Sequence, residues 1–551
     1  MLVKKSSKLE VSYSSKFQLK PAGLAGLWVS LILGIGFTIK TFGLPFILGV
    51  SSFWQTEVDD VTQYIAGFNM YFAAPWQYPL LAFNSLNYPQ GTSATFVDAI
   101  PLYALVLKLV LPASLAPFNP YGVWVALCFT LQAVSAWWIS RELQVHSWAF
   151  LISLVVLFLV SPALMARIGH ISLMSHWIIL FALALYIRSR RLESLQTMAW
   201  VVLLVPAFYV NIYLFAMASG IYLVTLLSID IIRDRRTLVA FALPFVGVIA
   251  TLFVTLLPLP TGEVAREGGF GIYSMNLLAP VLGGSLFQVH ARDALGQYEG
   301  FNYLGLGVLF AFVAALQVCY CQNWIFFRRH WSLFWLLMGY TVYALSSEIY
   351  FGTIHILTIE YPKFLDVVTS QFRASGRFFW PVGYALVIFV LLVLYRRLRL
   401  GVFVATSLLL VLLQLGDLKE RYTVLKTTVA RQSVPLMDYP VWDKTLGERV
   451  RTLYFYPKFK CGAQSPHESL LPTMKYAAER GYNLTTGYIA RHTPRCDGMG
   501  EEIAASSGDT SAYIFVKKEY ESSEKINSLL PIDIALQCRE VDFAFVCSKP
   551  H

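Results

Sequence analysis

The stretch GVSSFWQTEVDDVTQYIAG, residues 49–67, follows directly on an apolar run and gathers Glu57, Asp59 and Asp60 in a chain with only 14% charged residues. Carboxylates at the edge of a membrane-length apolar run are costly, and where they face inward they usually serve function. Read as a helix over 56–72, the stretch puts Glu57, Asp60, Tyr64, Gly67 and Tyr71 on one face, with Asp59 rotated by about 100° from Asp60. One acid then faces a cavity while its neighbour takes a hydrogen bond. A local role competes with this: Thr56 as N-cap, with Asp59 at the third helical position completing the cap. Asp98, in FVDAIPL, is a second acid ahead of an apolar helix, readable as a substrate contact or as an N-cap.

Three further groups carry chemistry. FRASGRFFWP spaces Arg373 and Arg377 four apart, so that on a helix both guanidiniums leave one face, and Gly376 between them leaves room for a ligand. Two planar forks grip phosphate or diphosphate bidentately; the alternative is snorkelling at an interface. ARIGHISLMSHW, residues 166–177, carries Arg167, His170 and His176. Histidine with carboxylate suits a divalent cation such as Mg or Mn, or phosphate oxygens. Nothing in the sequence requires a metal, and a histidine satisfied by a backbone carbonyl is the commoner case. In REGGFGIYSMNLLAP and GQYEGFNYLGLG, glycines flank Tyr273, Asn276, Glu299, Asn302 and Tyr303. A loop of that kind orders over a ligand. No Gly-x4-Gly-Lys-Ser/Thr and no strand-linked GxGxxG occurs, so chemistry here does not begin from a bound nucleotide.

The elements that must position these residues are membrane spans. The chain is 56% hydrophobic and 15% aromatic, and apolar stretches long enough for a hydrocarbon core of about 30 Å recur up to residue 416. The reading is a polytopic α-helical membrane protein with about eleven spans, at 22–46, 121–140, 147–166, 171–188, 196–210, 212–231, 237–257, 303–320, 331–347, 380–395 and 400–416. Spans five and six must share a short stretch, with Asn211 at the turn. The net charge of +10 sits in short clusters (MLVKKSSKLE, RELQVHS, RSRRLES, RDRR, FFRRH, YRRLRL) that all fall on one side of these spans. That is the bias of cytoplasmic loops, not a nucleic-acid surface. The N-terminus is then cytoplasmic, the first span remains as an anchor, and everything after 416 lies outside. Cys461, Cys496, Cys538 and Cys547 all fall in that tail, which predicts two disulfides whose pairing stays open.

Outside the membrane lie residues 47–120, 166–171, 258–302 and 348–379. The first of these reads as two amphipathic helices joined by NYPQGTS, both at the interface, with 99–113 too short to span. The tail, 417–551, alternates apolar segments (RTLYFYP, SAYIFVKK, DFAFVCS) with the helical LPTMKYAAERG and KEYESSEKINSLLP, and predicts a small α/β domain.

The order and spacing of DDVTQYIAGF, YPQGTSATFVDAIPL, RIGHISLMSHW, NLLAPV, GQYEGFNYLGLG and FRASGRFFWP, through residues 50–381, resemble a bacterial family within the GT-C class of integral-membrane glycosyltransferases; the tail adds chiefly TTGYIARH. The resemblance implies a polyprenyl-phosphate sugar donor, a lipid-linked or surface glycan acceptor, an inner-membrane location and a periplasmic tail. Serotype-converting O-antigen glucosyltransferases are the functional relatives it points to, with transfer of a single glucose and inversion. It further implies that Asp60 or Asp59 acts as base, that Arg373 and Arg377, with Arg167 and His170, hold the donor phosphate, and that Glu57, Asp98, His176 and the loop residues contact substrate. Metal-using members carry a second acidic motif where this chain has Arg167, His170 and His176, which leaves metal dependence open. A flippase of lipid-linked sugars, and a polysaccharide polymerase or ligase, are the rival expectations.

Overall fold

Each apolar run read as a span folds as helix, because backbone groups with no water to bond must satisfy one another. The computed structural model describes residues 23–229, 235–262, 264–286, 296–319, 330–463, 467–506, 508–529 and 536–548. The basic cluster MLVKKSSKLE, the first two residues of RDRR and most of FFRRH, together with Cys321, lie outside them. In chain order the helices that matter here are α1 (Leu24–Phe42), α2 (Asp60–Ala73), α3 (Pro101–Val110), α4 (Tyr121–Glu142), α5 (Trp148–Leu159), α6 (Trp177–Leu192), α7 (Thr197–Val210), α8 (Ile212–Ser228), α9 (Arg235–Thr255), α10 (Leu306–Cys319), α11 (Trp331–Leu345), α12 (Trp380–Arg397), α13 (Leu400–Asp417), α14 (Lys419–Ala430) and α15 (Leu470–Arg480).

Six helical stretches among the described residues are long and apolar enough to cross a membrane: Leu24–Phe42, Tyr121–Glu142, Trp148–Met165, Ile171–Leu192, Ser375–Arg397 and Leu400–Asp417. The remaining apolar helices, α7, α8, α10 and α11 among them, are shorter. Asn211 does separate α7 from α8. It has extended backbone, and its side chain accepts from the Tyr213 amide to open α8. α4 is central, packed by α1, α5 and α6. Gly34 lets α1 approach it closely, since a Cβ there would lie 2.8 Å from Thr130 Cα. At one end of the bundle the buried Glu142 carboxylate holds Arg188 (2.9 Å) and Arg191 (2.6 Å), which ties RELQ to RSRR. α5 and α6 run from that end to the 166–171 turn at the other.

The first loop corrects the expected interfacial pair. α2 begins at Asp60 rather than at 56, and nearly all of it is buried, including Tyr64, Phe68 and Tyr71. The reason lies in the tail, whose α15 packs directly on α2. Only α3 keeps an exposed apolar side, with Leu109 and Val110.

After the short strands β1 (Ala82–Phe83), β2 (Thr92–Ser93), β3 (Glu348–Phe351) and β4 (Ile354–Thr358), the tail folds as a five-stranded sheet in the order β6-β5-β7-β9-β8 (Asn483–Leu484, Thr452–Tyr456, Ser511–Val516, Ala544–Ser548, Gln537–Val541), in which β5 is parallel to β6 and β7, and β9 is antiparallel to β7 and β8. RTLYFYP, SAYIFVKK and DFAFVCS supply β5, β7 and β9. The four tail cysteines pair as Cys461–Cys496 and Cys538–Cys547. The first closes the longer loop, so Cys461→Ser with Cys496→Ser is expected to cost the tail about 2–4 kcal/mol. Accelerated proteolysis within the tail would register this, and an unchanged cleavage rate would contradict it.

Candidate functional site

The tail is fixed to the first loop by backbone pairing. Leu484 N donates to Ser85 O (2.8 Å), Tyr88 N to Leu484 O (3.0 Å) and Ala490 N to Phe96 O (2.8 Å), while Gln63 Nε2 on α2 donates to Tyr488 O (2.7 Å). The start of α2, the turn at Asp98, the 166–171 turn, the 296–301 segment, the turn before α12 and the tail segment 485–492 come close enough for their charged groups to act on one another, around a recess where Asp98 stays exposed.

At its centre is Glu299, which is 6% exposed. Its Oε2 accepts from Arg167 Nη1 (2.5 Å) and from Arg377 Nη2 (2.9 Å) and Nε (3.2 Å), and its Oε1 lies 3.1 Å from His170 Nε2. Enclosure alone would raise this carboxyl, but Arg377, the His170 bond and Arg167 outweigh it and hold Glu299 far below the usual carboxylate range. The other ring nitrogen of His170, Nδ1, lies 3.2 Å from Asp60 Oδ2. Asp60, His170, Glu299 and the two arginines thus form one continuous line of polar contacts. Arg377 also lies over the Tyr213 ring, 4.7 Å from its centroid.

Local chain geometry explains the assembly. Asp59 has the extended backbone of an N-cap (φ −102°, ψ 163°), but its side chain accepts from Thr56 Oγ1 (3.1 Å) instead of capping; Thr56 is not the cap. Asp60 follows as the first helical residue, where the helix dipole favours a negative charge. Gly376 does not make room for a ligand. A Cβ there would lie 2.5 Å from Gly300 Cα, so this glycine lets the 375–379 turn touch the 296–301 segment and brings Arg377 onto Glu299. Arg373 and Arg377 do not share a helix face. The chain breaks after Arg373 and enters a short 3-10 turn at Ser375–Phe379, and Arg373 turns to a second carboxylate, Glu267 (3.2 Å). Glu267 also takes Lys460 Nζ (3.3 Å) and the Arg491 amide (3.1 Å) from the tail, and Arg373 covers the Tyr273 ring at 5.5 Å.

Asp98 belongs to this recess and caps nothing, since the residue before α3 is Ile100. Asp98 and Ile100 both adopt left-handed backbone (φ 54° and 50°), which aspartate tolerates and a β-branched isoleucine does not. Strain is therefore concentrated at the turn that holds the acid. Water reaches the Asp98 side chain although protein surrounds it, as expected of a group lining a recess. Enclosure pushes its carboxyl up to about 6 and the Asp60 carboxylate adds to this, against His170 and Arg377. The folded protein then holds a proton on Asp98 through a range where the unfolded chain has released it, so stability falls as pH rises from the ordinary aspartate value to about 6. Asp98→Asn is expected to raise Tm at about pH 7.5 and to leave it unchanged near pH 4; a Tm difference that does not vary with pH would contradict this.

Other residues read from the sequence are engaged elsewhere. Glu57 is buried under the tail, where its carboxylate accepts from the Leu436 amide (2.7 Å) and lies 3.6 Å from Lys475 Nζ. His176 sits in the helical core, its Nδ1 2.8 Å from the Tyr384 hydroxyl, which also accepts from Gln132 on α4. Asn276 clamps Gly352 by both of its amide atoms (2.8 and 2.9 Å). Asn302 donates to Gly300 O and Gly376 O (2.9 and 2.8 Å), and Tyr303 donates to Asp417 at the end of α13 (2.5 Å). These three fasten the loop to the bundle. Residues 263 and 287–295 of that loop lie outside the described residues.

Beside Glu299, Ala166, Arg167, Gly169, His170, Tyr298, Phe301 and Arg421 line an open cavity of about 430 Å³. Arg167 is 4% exposed and its Nε is buried without a partner. Among the described residues, no three His, Cys, Asp or Glu side chains converge to hold a metal ion. Geometry gives the reason: Asp60 and Glu299 lie on opposite nitrogens of His170 and cannot meet at one ion.

Residues 31–419 match a domain of unknown function, DUF6311, and residues 441–549 match the DUF6311 C-terminal domain. The chain belongs to the DUF6311 family. No curated protein and no solved structure matches it. The two parts of this DUF6311 chain meet at the recess, because Tyr488 and Arg491 come from the C-terminal part. Burial, with Asp60 and Asp98 close by, pushes the Tyr488 phenol up to about 12, so it stays a neutral hydrogen-bonding group. Sequence reasoning missed Tyr488, Arg491, Lys460 and Glu267 as site residues; TTGYIARH was the available signal for the first two.

Proposed function

We propose that the chain is a polytopic, GT-C-like glycosyltransferase that moves one sugar, glucose by preference, from a polyprenyl-phosphate donor to a hydroxyl of a surface glycan on the outer face of a bacterial inner membrane. Eleven spans, counting the shorter apolar helices other than α3, with a cytoplasmic N-terminus and an outer tail, is the topology that goes with it. The observation that carries the reading is the line Asp60–His170–Glu299–Arg167/Arg377, a proton acceptor beside paired guanidiniums under the C-terminal domain.

In this reading the acceptor hydroxyl attacks the anomeric carbon and its proton passes to Asp60. The bond from that carbon to the phosphate oxygen breaks, and the leaving polyprenyl phosphate keeps the electron pair. Its charge falls beside Arg167 and Arg421 in the 430 Å³ cavity, where fixed cations stabilise developing negative charge. Arg373, Lys460 and Tyr488 line the side from which an acceptor would enter. Purified protein given polyprenyl-phosphate glucose and a panel of glycans should yield products heavier by one hexose in mass spectrometry. Block transfer would favour a polymerase or ligase, and lipid translocation without product a flippase.

A further inference from the structure

The segment after α11 carries an apolar surface that the described chain does not cover. β3 (Glu348–Phe351) and β4 (Ile354–Thr358) form an antiparallel hairpin, and every residue of β4 is exposed. Ile354 is 62% and Phe364 76% exposed, with Phe351, Ile356, Leu357 and Val367 exposed around them. Contiguous apolar area of this kind marks an interaction surface, and a two-stranded hairpin is marginal in water on its own.

Three observations identify what covers it. α11 runs straight into the hairpin, and its Trp331, Trp335, Met338 and Val342 form an exposed stripe at helical spacing, so the apolar face continues the lipid-facing side of the bundle. The polar side chains of the hairpin satisfy one another: Glu348 Oε2 takes His355 Nε2 (2.7 Å) and Thr358 Oγ1 (2.9 Å). That closure suits a poorly hydrated layer, where unpaired polar groups are expensive. The hairpin is also held rigidly, through Asn276 on Gly352 and Leu277 N on Tyr350 O (3.0 Å).

We propose that residues 348–368 insert into the headgroup layer of the membrane, with acyl chains covering Ile354, Ile356 and Phe364. The open strand edges keep this wedge at the interface, because unpaired backbone groups cannot enter hydrocarbon. It leads directly into Ser370 and Gln371, whose carbonyls take Arg491 of the tail (3.2 and 3.0 Å), so lipid contact is coupled to the rim of the recess. The inference stands apart from the glycosyltransferase reading.

The test uses the full chain carrying Cys319→Ser and Cys321→Ser, with Ile356→Cys labelled by bimane, in vesicles of phosphatidylethanolamine and phosphatidylglycerol. Glu540→Cys, on the exposed strand β8, is the control. The expected result at 356 is loss of iodide quenching relative to 540, with strong quenching by lipid bearing a nitroxide at the top of its acyl chain and weak quenching by one near the terminal methyl. Iodide access equal to the control would overturn the proposal. So would protection from both iodide and nitroxide, which would assign the face to a protein partner.

Discussion

Asp60→Asn is expected to lower sugar transfer by about 10²–10⁴-fold, the usual contribution of a positioned proton acceptor, while the protein folds and the donor still binds. Asp60 opens α2 with its side chain one-third exposed, and among the described residues it is ion-paired with His170. The amide keeps the shape and a hydrogen-bonding oxygen toward the imidazole but cannot take a proton. Loss should therefore appear in kcat, with the apparent KM for donor nearly unchanged. Near-normal turnover in Asp60→Asn would move the base elsewhere, with Asp98, whose carboxyl lies at about 6, next in line.

The second large effect concerns folding. Among the described residues Glu299 is the one carboxylate paired with both Arg167 and Arg377, with all three side chains largely buried. Glu299→Gln leaves two guanidiniums facing each other with no compensating charge. Removing one partner from a buried pair typically costs about 3–5 kcal/mol, and here two pairs depend on the same oxygen. The expected outcome is a large drop in Tm in detergent, accompanied by loss of transfer. Glu348→Gln, on the exposed hairpin, should leave Tm nearly unchanged. A Glu299→Gln protein as stable as the parent would mean that solvent reaches this cluster freely.

What could be read in advance follows from range along the chain. Helices arise from local apolar runs, and α1, α4, α6 and α13 fall where those runs lie. Asp60, Arg167, His170 and Arg377 were named from types and spacing, and they meet in one cluster. Their pairing was not legible. The same spacing that put Arg373 beside Arg377 on a presumed α-helix is a chain break followed by a short 3-10 turn in the fold, where Gly376 is used for backbone contact with Gly300. Glu57 lies three residues from Asp60 yet faces Lys475 and Leu436, which a single sequence cannot announce across so long a separation. The burial of α2 has the same origin: an amphipathic pattern shows that one face needs cover, but not that the tail's α15 supplies it. Glycine-flanked Asn276, Asn302 and Tyr303 looked like ligand contacts, and each instead holds the loop down.

Sidedness tests the account most directly. Protein is reconstituted into sealed vesicles with polyprenyl-phosphate glucose, its tail shown by protease to face outward, and a membrane-impermeant glycan acceptor is supplied on one side at a time. The account predicts a single added hexose only when acceptor is on the side of the tail, without nucleotide sugar, and loss of that product with Asp60→Asn. Product formed from acceptor on the opposite side, or only when a nucleotide sugar is present, would contradict it.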